Sequence, residues 1–257
     1  MNVVLKDINN PLISALEKQN VPTLSPIVVM KRYELKYILN KEQLAYLKSA
    51  LQSHMRIDEY GKTSIASLYY DTPDYRLIRT SIEKPEFKEK IRLRSYGLAR
   101  EDSKVFLELK RKVAGIVYKR RVTLKENQVS DFLNNQYKLD GQIGAEISYF
   151  KNYYQELNPA FLIIYEREAY EEIDGALRLT IDENPRYRTT NLNLHTSLEG
   201  TSLLPNGYAI LEIKVQQALP LWLSKILANG HIYQSSFSKV GEAFKKEVLK
   251  KNIERRS

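Results

Sequence analysis

The sequence predicts an α+β fold in which about eight antiparallel strands form a sheet, with helices inserted between and after them. The first observation behind this prediction is the alternation of apolar and polar side chains, with a period of two, in many short segments. Three such segments, 87–94, 105–110 and 116–124, follow one another directly. The second observation is a set of helical segments with apolar stripes that separate and follow the strands.

The first part of the chain is predicted to contain two strands and two helices before these three central strands. A strand is predicted at 28–39, followed by a helix at 41–52 for which Asn40 is the expected N-cap. A strand at 64–70 ends in a turn, and a short helix is predicted at 75–82.

The elements after the central strands continue the mixed pattern. We predict helices at 127–134 and 143–157, strands at 161–170, 176–182, 187–190 and 208–215, and two helices that begin at Pro220 and near 236–238. The domain is expected to span 28–249, between an N-terminal appendage at 1–27 and a basic tail at 250–257.

The composition narrows the function classes. The chain has 40 Lys and Arg against 31 Asp and Glu, a net charge of +9 that indicates an anionic partner such as nucleic acid, a membrane surface or a phosphorylated small molecule. It has no cysteine, which excludes disulfides, thiolate metal sites and a thiol nucleophile. No apolar run approaches the roughly 20 residues that span a bilayer. A cytoplasmic chain without a transmembrane segment of its own is therefore expected.

Strand alternation collects the cations on one face of the predicted sheet. The polar faces of the strands together hold Arg32, Glu34, Lys36, Lys90, Arg92, Arg94, Glu108, Lys110, Lys119, Arg121, Arg167, Arg178, Glu212 and Lys214. If the sheet closes into a barrel, all of these residues line its bore.

Like charges on neighbouring strands repel one another, so this pattern predicts a bound polyanion. Guanidinium groups bind phosphate oxygens in a fork geometry, while the carboxylates Glu34, Glu108 and Glu212 suit a hard divalent cation. The alternative is a solvated sheet with cross-strand Arg and Glu ladders, which fits any single pair. The recurrence of the set on one face of several strands favours an anion site.

Several motifs also resemble a known family. They are Lys31-Arg-Tyr-Glu-Leu-Lys-Tyr37, Ser67-Leu-Tyr-Tyr-Asp-Thr72, Lys90-Ile-Arg-Leu-Arg94, Phe106-Leu-Glu-Leu-Lys110, Lys119-Arg-Arg121, Tyr165-Glu-Arg-Glu-Ala-Tyr170, Arg178-Leu-Thr-Ile-Asp182, Leu211-Glu-Ile-Lys214 and Ser236-Phe-Ser-Lys239. Taken together they resemble the VTC domain, the polyphosphate polymerase domain of the vacuolar transporter chaperone complex and its bacterial relatives. That domain belongs to the CYTH-like triphosphate tunnel metalloenzymes.

The resemblance implies a closed antiparallel β-barrel of eight strands, a triphosphate tunnel, with flanking helices. It implies an ATP:polyphosphate phosphotransferase that adds the γ-phosphoryl group of ATP to a growing chain in the tunnel, with ATP and inorganic polyphosphate as ligands. A membrane-protein partner, and membrane association through it, are compatible with the resemblance, whereas a nucleic-acid partner is not expected.

The resemblance also assigns roles to residues. Lys36, Arg92, Arg94 and Glu212 are the expected catalytic residues, with Mn²⁺ or Mg²⁺ on Glu212. The expected phosphate-binding residues are Lys36, Arg92, Arg94, Lys110, Lys119, Arg167, Arg178, Lys214, Ser238 and Lys239, to which the charge pattern adds Arg121.

One departure from the wider superfamily bears on the reaction. The first strand carries Arg32-x-Glu34-x-Lys36 where triphosphatases carry Glu-x-Glu-x-Lys, which weakens a two-metal hydrolytic interpretation. Two alternatives stay open: a metal-dependent triphosphatase or polyphosphatase, and a polyphosphate-binding module without catalysis. A nucleic-acid binder is disfavoured because the tyrosines mostly alternate away from the cations.

Overall fold

The computed structural model describes residues 33–83, 85–114, 116–173, 177–215 and 218–254. The predicted appendage at 1–27, the start of the first predicted strand at 28–32 and the last three residues of the predicted tail lie outside these ranges. The appendage and the tail therefore stay predictions.

The described chain forms ten strands and six helices. The strands are β1 (Tyr33–Leu39), β2 (Met55–Asp71), β3 (Phe87–Tyr96), β4 (Lys104–Val113), β5 (Ile116–Lys125), β6 (Asn158–Glu172), β7 (Arg178–Arg188), β8 (Thr201–Ser202), β9 (Ala209–Val215) and β10 (Gln234–Ser235). The helices are α1 (Lys41–Leu51), α2 (Arg76–Glu83), α3 (Glu126–Leu133), α4 (Gly141–Tyr154), α5 (Leu221–Asn229) and α6 (Lys239–Glu254).

Local sequence signals explain most element bounds. Asn40 caps α1 as predicted: its side chain accepts a hydrogen bond from the backbone of Gln43, whose own side chain accepts one from the Asn40 backbone. The strand segments predicted at 176–182 and 187–190 are one strand, β7. Between the two predicted segments, Asn184 adopts a positive φ of 47°, and a register shift against β6 absorbs the irregularity.

The sheet is antiparallel and open, so the prediction of a closed eight-stranded barrel is wrong. Its order is β10-β1-β9-β7-β6-β2-β3-β4-β5, with β8 added to β7. Closure would require a strand-to-strand ladder between the two ends of this order. The outer edge of β1 instead pairs with β10, through Lys36 opposite Ser235 and Tyr37 opposite Gln234. The other end, β5, carries consecutive cations, and charged edge strands oppose further pairing.

The open sheet is nevertheless strongly curved. Six strand intervals separate β1 from β4 in the sheet order. A flat sheet would hold these strands roughly 29 Å apart, at about 4.8 Å for each interval. Yet Lys110 Nζ on β4 lies 3.3 Å from Glu34 Oε2 on β1. The two walls therefore face each other across a concave side, here called the inner face, which carries Lys36, Arg92, Glu108 and Arg167.

Helices cover both sides of the sheet. On the outer face, α3 and α4 bury one apolar cluster that includes Leu93, Leu107, Phe132 and Ile147. A second outer cluster lies under α1 and α5 and is built from residues such as Leu47, Leu51, Leu179, Leu211 and Leu223.

The third apolar cluster is on the inner face. Ile65, Phe161 and Ile163 pack there with Val240 and Ala243 of α6. The C-terminal helix thus fills part of the concave side, and the charged part of the inner face begins where this helix begins.

Candidate functional site

The first wall of the inner face is organised around Glu108 of β4. Its carboxylate is 1% exposed and contacts Arg92 at 2.8 Å, Lys119 at 2.8 Å and Arg94 at 3.7 Å. Arg121 Nε donates a further hydrogen bond of 2.8 Å to Oε1. Burial alone would raise the pKa of Glu108, but Arg92, Arg94 and Lys119 hold it well below its usual range. Cross-strand register explains the meeting, because Arg92 and Arg121 are the direct partners of Glu108 on the two neighbouring strands.

The second wall is organised around Glu212 of β9 and Asp182 of β7. Arg167 Nε donates to Asp182 at 2.5 Å and lies 3.5 Å from Glu212 through its terminal nitrogen. Lys239 forms an ion pair with Asp182 and lies 3.5 Å from Glu212. Burial would raise the pKa of Glu212, but Lys239, Lys36 and Arg167 hold it well below its usual range. Glu212 is therefore an ionised counter-ion for these cations.

Lys36 and the start of α6 connect the two walls. Lys36 Nζ lies 3.1 Å from Glu212 and 3.2 Å from Glu34, and it donates to the Phe237 carbonyl at 3.2 Å. From the first wall, Lys90 Nζ donates to Ser238 Oγ at 3.2 Å. Ser238 Oγ also accepts from the Gly241 backbone at 3.3 Å, so the first turn of α6 is oriented toward the cations.

Two groups on the inner face titrate in an unusual range. Burial lowers the pKa of Lys90 to about 8. Burial would raise the pKa of Tyr69, but Arg92, Lys90 and Arg94 lower it to about 8. Arg92 also donates to the Tyr69 hydroxyl at 2.9 Å. We therefore expect the charge of this wall to change near pH 8.

Several buried polar atoms on the inner face have no hydrogen-bond partner within the described residues. They are Arg94 Nε, Ser67 Oγ, Thr180 Oγ1 and Ser235 Oγ. Each lies beside a charged group in the sheet register: Ser67 opposite Arg94, Thr180 opposite Glu212, and Ser235 opposite Lys36. Buried donors without partners are costly unless a ligand satisfies them, and oxyanions accept from such donors.

The structure brings most of the predicted site residues together. Those that meet in the two walls and at the start of α6 are Lys36, Arg92, Arg94, Lys110, Lys119, Arg121, Arg167, Glu212, Ser238 and Lys239. One predicted phosphate-binding residue, Arg178, lies outside this group at the beginning of β7, with a side chain 75% exposed and 3.8 Å from Glu171. Lys214 lies at the edge of the group, opposite Glu34 on β1 and Arg178 on β7. Burial and the nearby Arg167 charge lower the pKa of Lys214.

Sequence reasoning missed the role of some inner-face residues. Asp182 is fully buried and holds both Arg167 and Lys239, although its alternation with Arg178 in β7 could have identified it. Tyr69 and Tyr165 depart from the expectation that tyrosines face away from the cations: Arg92 lies 5.7 Å from the Tyr69 ring centre and Lys239 lies 4.5 Å from that of Tyr165.

The carboxylates of the inner face differ in their suitability for a metal ion. Within the described ranges, no three His, Asp or Glu side chains gather as a ready-made set of ligands. Glu34 and Glu212 are instead linked through Lys36. Such a pair fits the binding mode in which Mg²⁺ uses one or two carboxylates and completes its shell with phosphate oxygens. Glu108 does not fit, because its buried oxygens are engaged by Arg92, Arg94, Lys119 and Arg121.

Among the helices in the described part of the chain, none combines the length and the apolar composition needed to cross a membrane.

Comparisons with known proteins bear on the family. Residues 31–247 match the family model described as the VTC domain. Vacuolar transporter chaperone complex subunit 4 of Schizosaccharomyces pombe is 26% identical over 262 residues. This match covers 81% of the present chain and 36% of the relative, so the chain spans about a third of the length of that protein.

A solved structure shows a related fold. It is a protein of Bacillus halodurans, provisionally assigned as an adenylate cyclase, that is 17% identical with a TM-score of 0.52. The superposition covers 81% of this chain and 96% of that one. The family model spans both walls of the inner face and the start of α6, and the chain belongs to the VTC-domain family.

Proposed function

We propose that this protein transfers the γ-phosphoryl group of ATP to the end of an inorganic polyphosphate chain held on the inner face. The observation that carries the proposal is the gathering of Lys and Arg from five strands and α6 around buried polar atoms that have no partner within the described residues. The activity implied by the VTC resemblance supports the same chemistry. The S. pombe relative is named as a subunit of a complex, which supports a protein partner for this chain. We extend the proposal to a membrane-associated partner, with this chain on the cytoplasmic side.

The reaction needs no nucleophile from the protein. A terminal phosphate oxygen of the polymer attacks the γ-phosphorus of ATP, the bond to the bridging oxygen breaks, and ADP leaves. The total charge of fully ionised reactants equals that of the products, so no net proton transfer is needed. Positioning and charge neutralisation then supply most of the acceleration. Arg92 and Arg94 are assigned to the transferring group, with Lys36 beside them.

We further propose that Glu212 holds Mn²⁺ or Mg²⁺, with Glu34 as the second carboxylate. The ion would neutralise charge on the phosphate oxygens that complete its shell. Lys36 pairs with both carboxylates, and it would be free to contact phosphate if they held a cation instead.

The experiment is an incubation of the purified protein with ATP, Mn²⁺ and a trace of pyrophosphate or short polyphosphate, with the products separated on a gel that resolves phosphate polymers. Long chains with stoichiometric ADP are expected. The test variant is Lys119→Ala, which removes an inner-face cation, and its matched control is Arg120→Ala. Arg120 is the next residue of β5 but lies on the outer face, where it pairs with Glu146 at 2.7 Å.

The two variants should differ in polymer synthesis: it should fall about tenfold or more in Lys119→Ala and stay unchanged in Arg120→Ala. Free phosphate without polymer would contradict the polymerase and indicate a hydrolase. Tight polyphosphate binding without turnover would indicate a binding module or a subunit that requires its partner.

A further inference from the structure

An aromatic pair ends the row of cations on the first wall. The rings of Tyr96 on β3 and Phe106 on β4 meet edge to face, with centroids 5.7 Å apart and an interplanar angle of 81°. The Arg121 guanidinium lies 4.6 Å from the Phe106 ring centre. Tyr96 is 50% exposed, so one side of the pair faces solvent. We call Tyr96 and Phe106 the aromatic corner.

The aromatic corner continues the phosphate-binding row in the sheet register. Tyr96 follows Arg92 and Arg94 on the same face of β3, and Phe106 is the direct cross-strand partner of Arg94. On β4, Phe106 lies two residues from Glu108, the cross-strand partner of Arg92, and four residues from Lys110, roughly 7 and 14 Å along the strand at about 3.4 Å for each residue. A donor nucleotide with its γ-phosphate at Arg92 and its other phosphates beside Arg94 would therefore place its base near the aromatic corner, with the polymer on the side of Lys110 and Lys119.

We propose that the aromatic corner is the surface on which the nucleobase of the phosphoryl donor stacks; this inference rests on the proposed function. An exposed aromatic face binds any base through its π surface, so ATP and GTP should bind similarly and pyrimidine nucleotides more weakly. Arg121 is suited to a second task there, because it lies between the Phe106 ring and the Glu108 carboxylate, next to the expected position of the nucleotide phosphates.

The test compares ATP with inorganic tripolyphosphate, which has the phosphates but no base, by calorimetric titration of the full chain. Tyr96→Leu keeps an apolar side chain of moderate size but removes the ring, and it should weaken ATP binding about tenfold with tripolyphosphate binding unchanged. Tyr96→Phe keeps the ring and should bind both ligands like the wild type. Tyr118→Leu is the matched control, since Tyr118 is 39% exposed on the outer face of β5.

Two results for Tyr96→Leu would overturn the inference. An equal loss of affinity for ATP and tripolyphosphate would mean that Tyr96 only supports Arg121, and no loss of affinity for either ligand would mean that the ring does not contact the base.

The wild-type protein tests the proposed function independently of this inference. A wild-type protein that binds ATP but not tripolyphosphate would contradict a polyphosphate site and leave the stacking surface in place, while binding of neither would overturn both.

Discussion

Glu108 shows how the inner face is stable in the absence of a bound anion. Arg92, Lys119 and Arg121 approach its carboxylate closely, with Arg94 somewhat farther away. One buried anion thus offsets cations that would otherwise repel one another across three strands. A phosphate chain that binds here, as proposed, would compete with Glu108 for these cations.

Replacing Glu108 by Gln should therefore change the stability of the protein and its affinity for tripolyphosphate in opposite directions. The variant leaves buried cations without their counter-ion, so we expect a loss of about 3 kcal/mol in the free energy of unfolding. The affinity for tripolyphosphate should rise, because the phosphate no longer competes with the carboxylate. Chemical denaturation with and without tripolyphosphate measures both effects.

The control for this variant is Glu146→Gln. Glu146 pairs with Arg120 on the outer face, where a partly exposed pair contributes less than about 1 kcal/mol. A loss of stability in Glu108→Gln with weaker, rather than tighter, tripolyphosphate binding would mean that Glu108 orients the cations for the ligand.

Lys90 should make anion binding depend on pH. Because burial lowers its pKa to about 8, Lys90 is charged below that pH and loses its charge as the pH rises through it. The pKa of Tyr69 is also about 8, so this wall gains a negative charge over the same range. The groups that face Lys90 are Tyr69, Lys110, Lys36, Lys88 and Ser238. Wild-type affinity for tripolyphosphate should exceed that of Lys90→Met most at about pH 7.

The ratio of the wild-type affinity to the Lys90→Met affinity should approach one at about pH 9.5. Because both proteins bind the same ligand, the titration of tripolyphosphate itself cancels in this ratio. Calorimetric titration across this range provides the measurement. Lys245→Met, on the exposed side of α6, should give a constant ratio near one. A ratio for Lys90→Met that does not change with pH would show that Lys90 keeps its charge throughout.

At the scale of elements, α6 links the apolar and charged parts of the inner face. Phe244 packs against the rings of Tyr75 at 5.4 Å and Phe161 at 6.3 Å. One turn earlier, the same helix presents Lys239 to Asp182 and Glu212. Packing of the helix body therefore positions the charges at its beginning.

Phe244→Ala should weaken both stability and anion binding. The lost packing of a partly buried ring should reduce the free energy of unfolding by about 2 to 3 kcal/mol. Displacement of Lys239 and Ser238 should lower the tripolyphosphate affinity at the same time. Denaturation and calorimetric titration check the two effects, with Lys245→Ala, one residue farther on the exposed side, as the neutral control. Reduced stability with unchanged affinity would show that the Lys239 ion pairs position the helix start by themselves.

At the scale of the whole molecule, the open sheet leaves β5 with β4 as its one strand neighbour in the described chain, whereas β6 pairs on both sides with β2 and β7. About half of the backbone amides of β5 should therefore lack a strand partner and exchange with solvent faster than those of β6. Hydrogen exchange followed by mass spectrometry measures this difference. Equal protection of β5 and β6 would indicate a closed sheet in solution.

Much of the fold and of the charged site could be predicted from local patterns. The Asn40 cap of α1 and the gathering of Arg92, Glu108 and Arg121 on one face depend on neighbouring residues, since capping and alternation are properties of a short piece of backbone. The two-residue strand β10 and the bulge at Asn184 could not be predicted, because pairing with distant segments determines both.

The sequence by itself determined which side chains share a face, and hence that one side of the sheet is cationic. Tertiary structure alone decided that the sheet stays open while Lys110 reaches Glu34, that α6 enters the inner face, and that Glu108 and Asp182 serve as counter-ions. The physical reason is that curvature, edge pairing and charge neutralisation depend on residues far apart in the chain, and a periodicity of two contains no information about which distant strand will lie opposite.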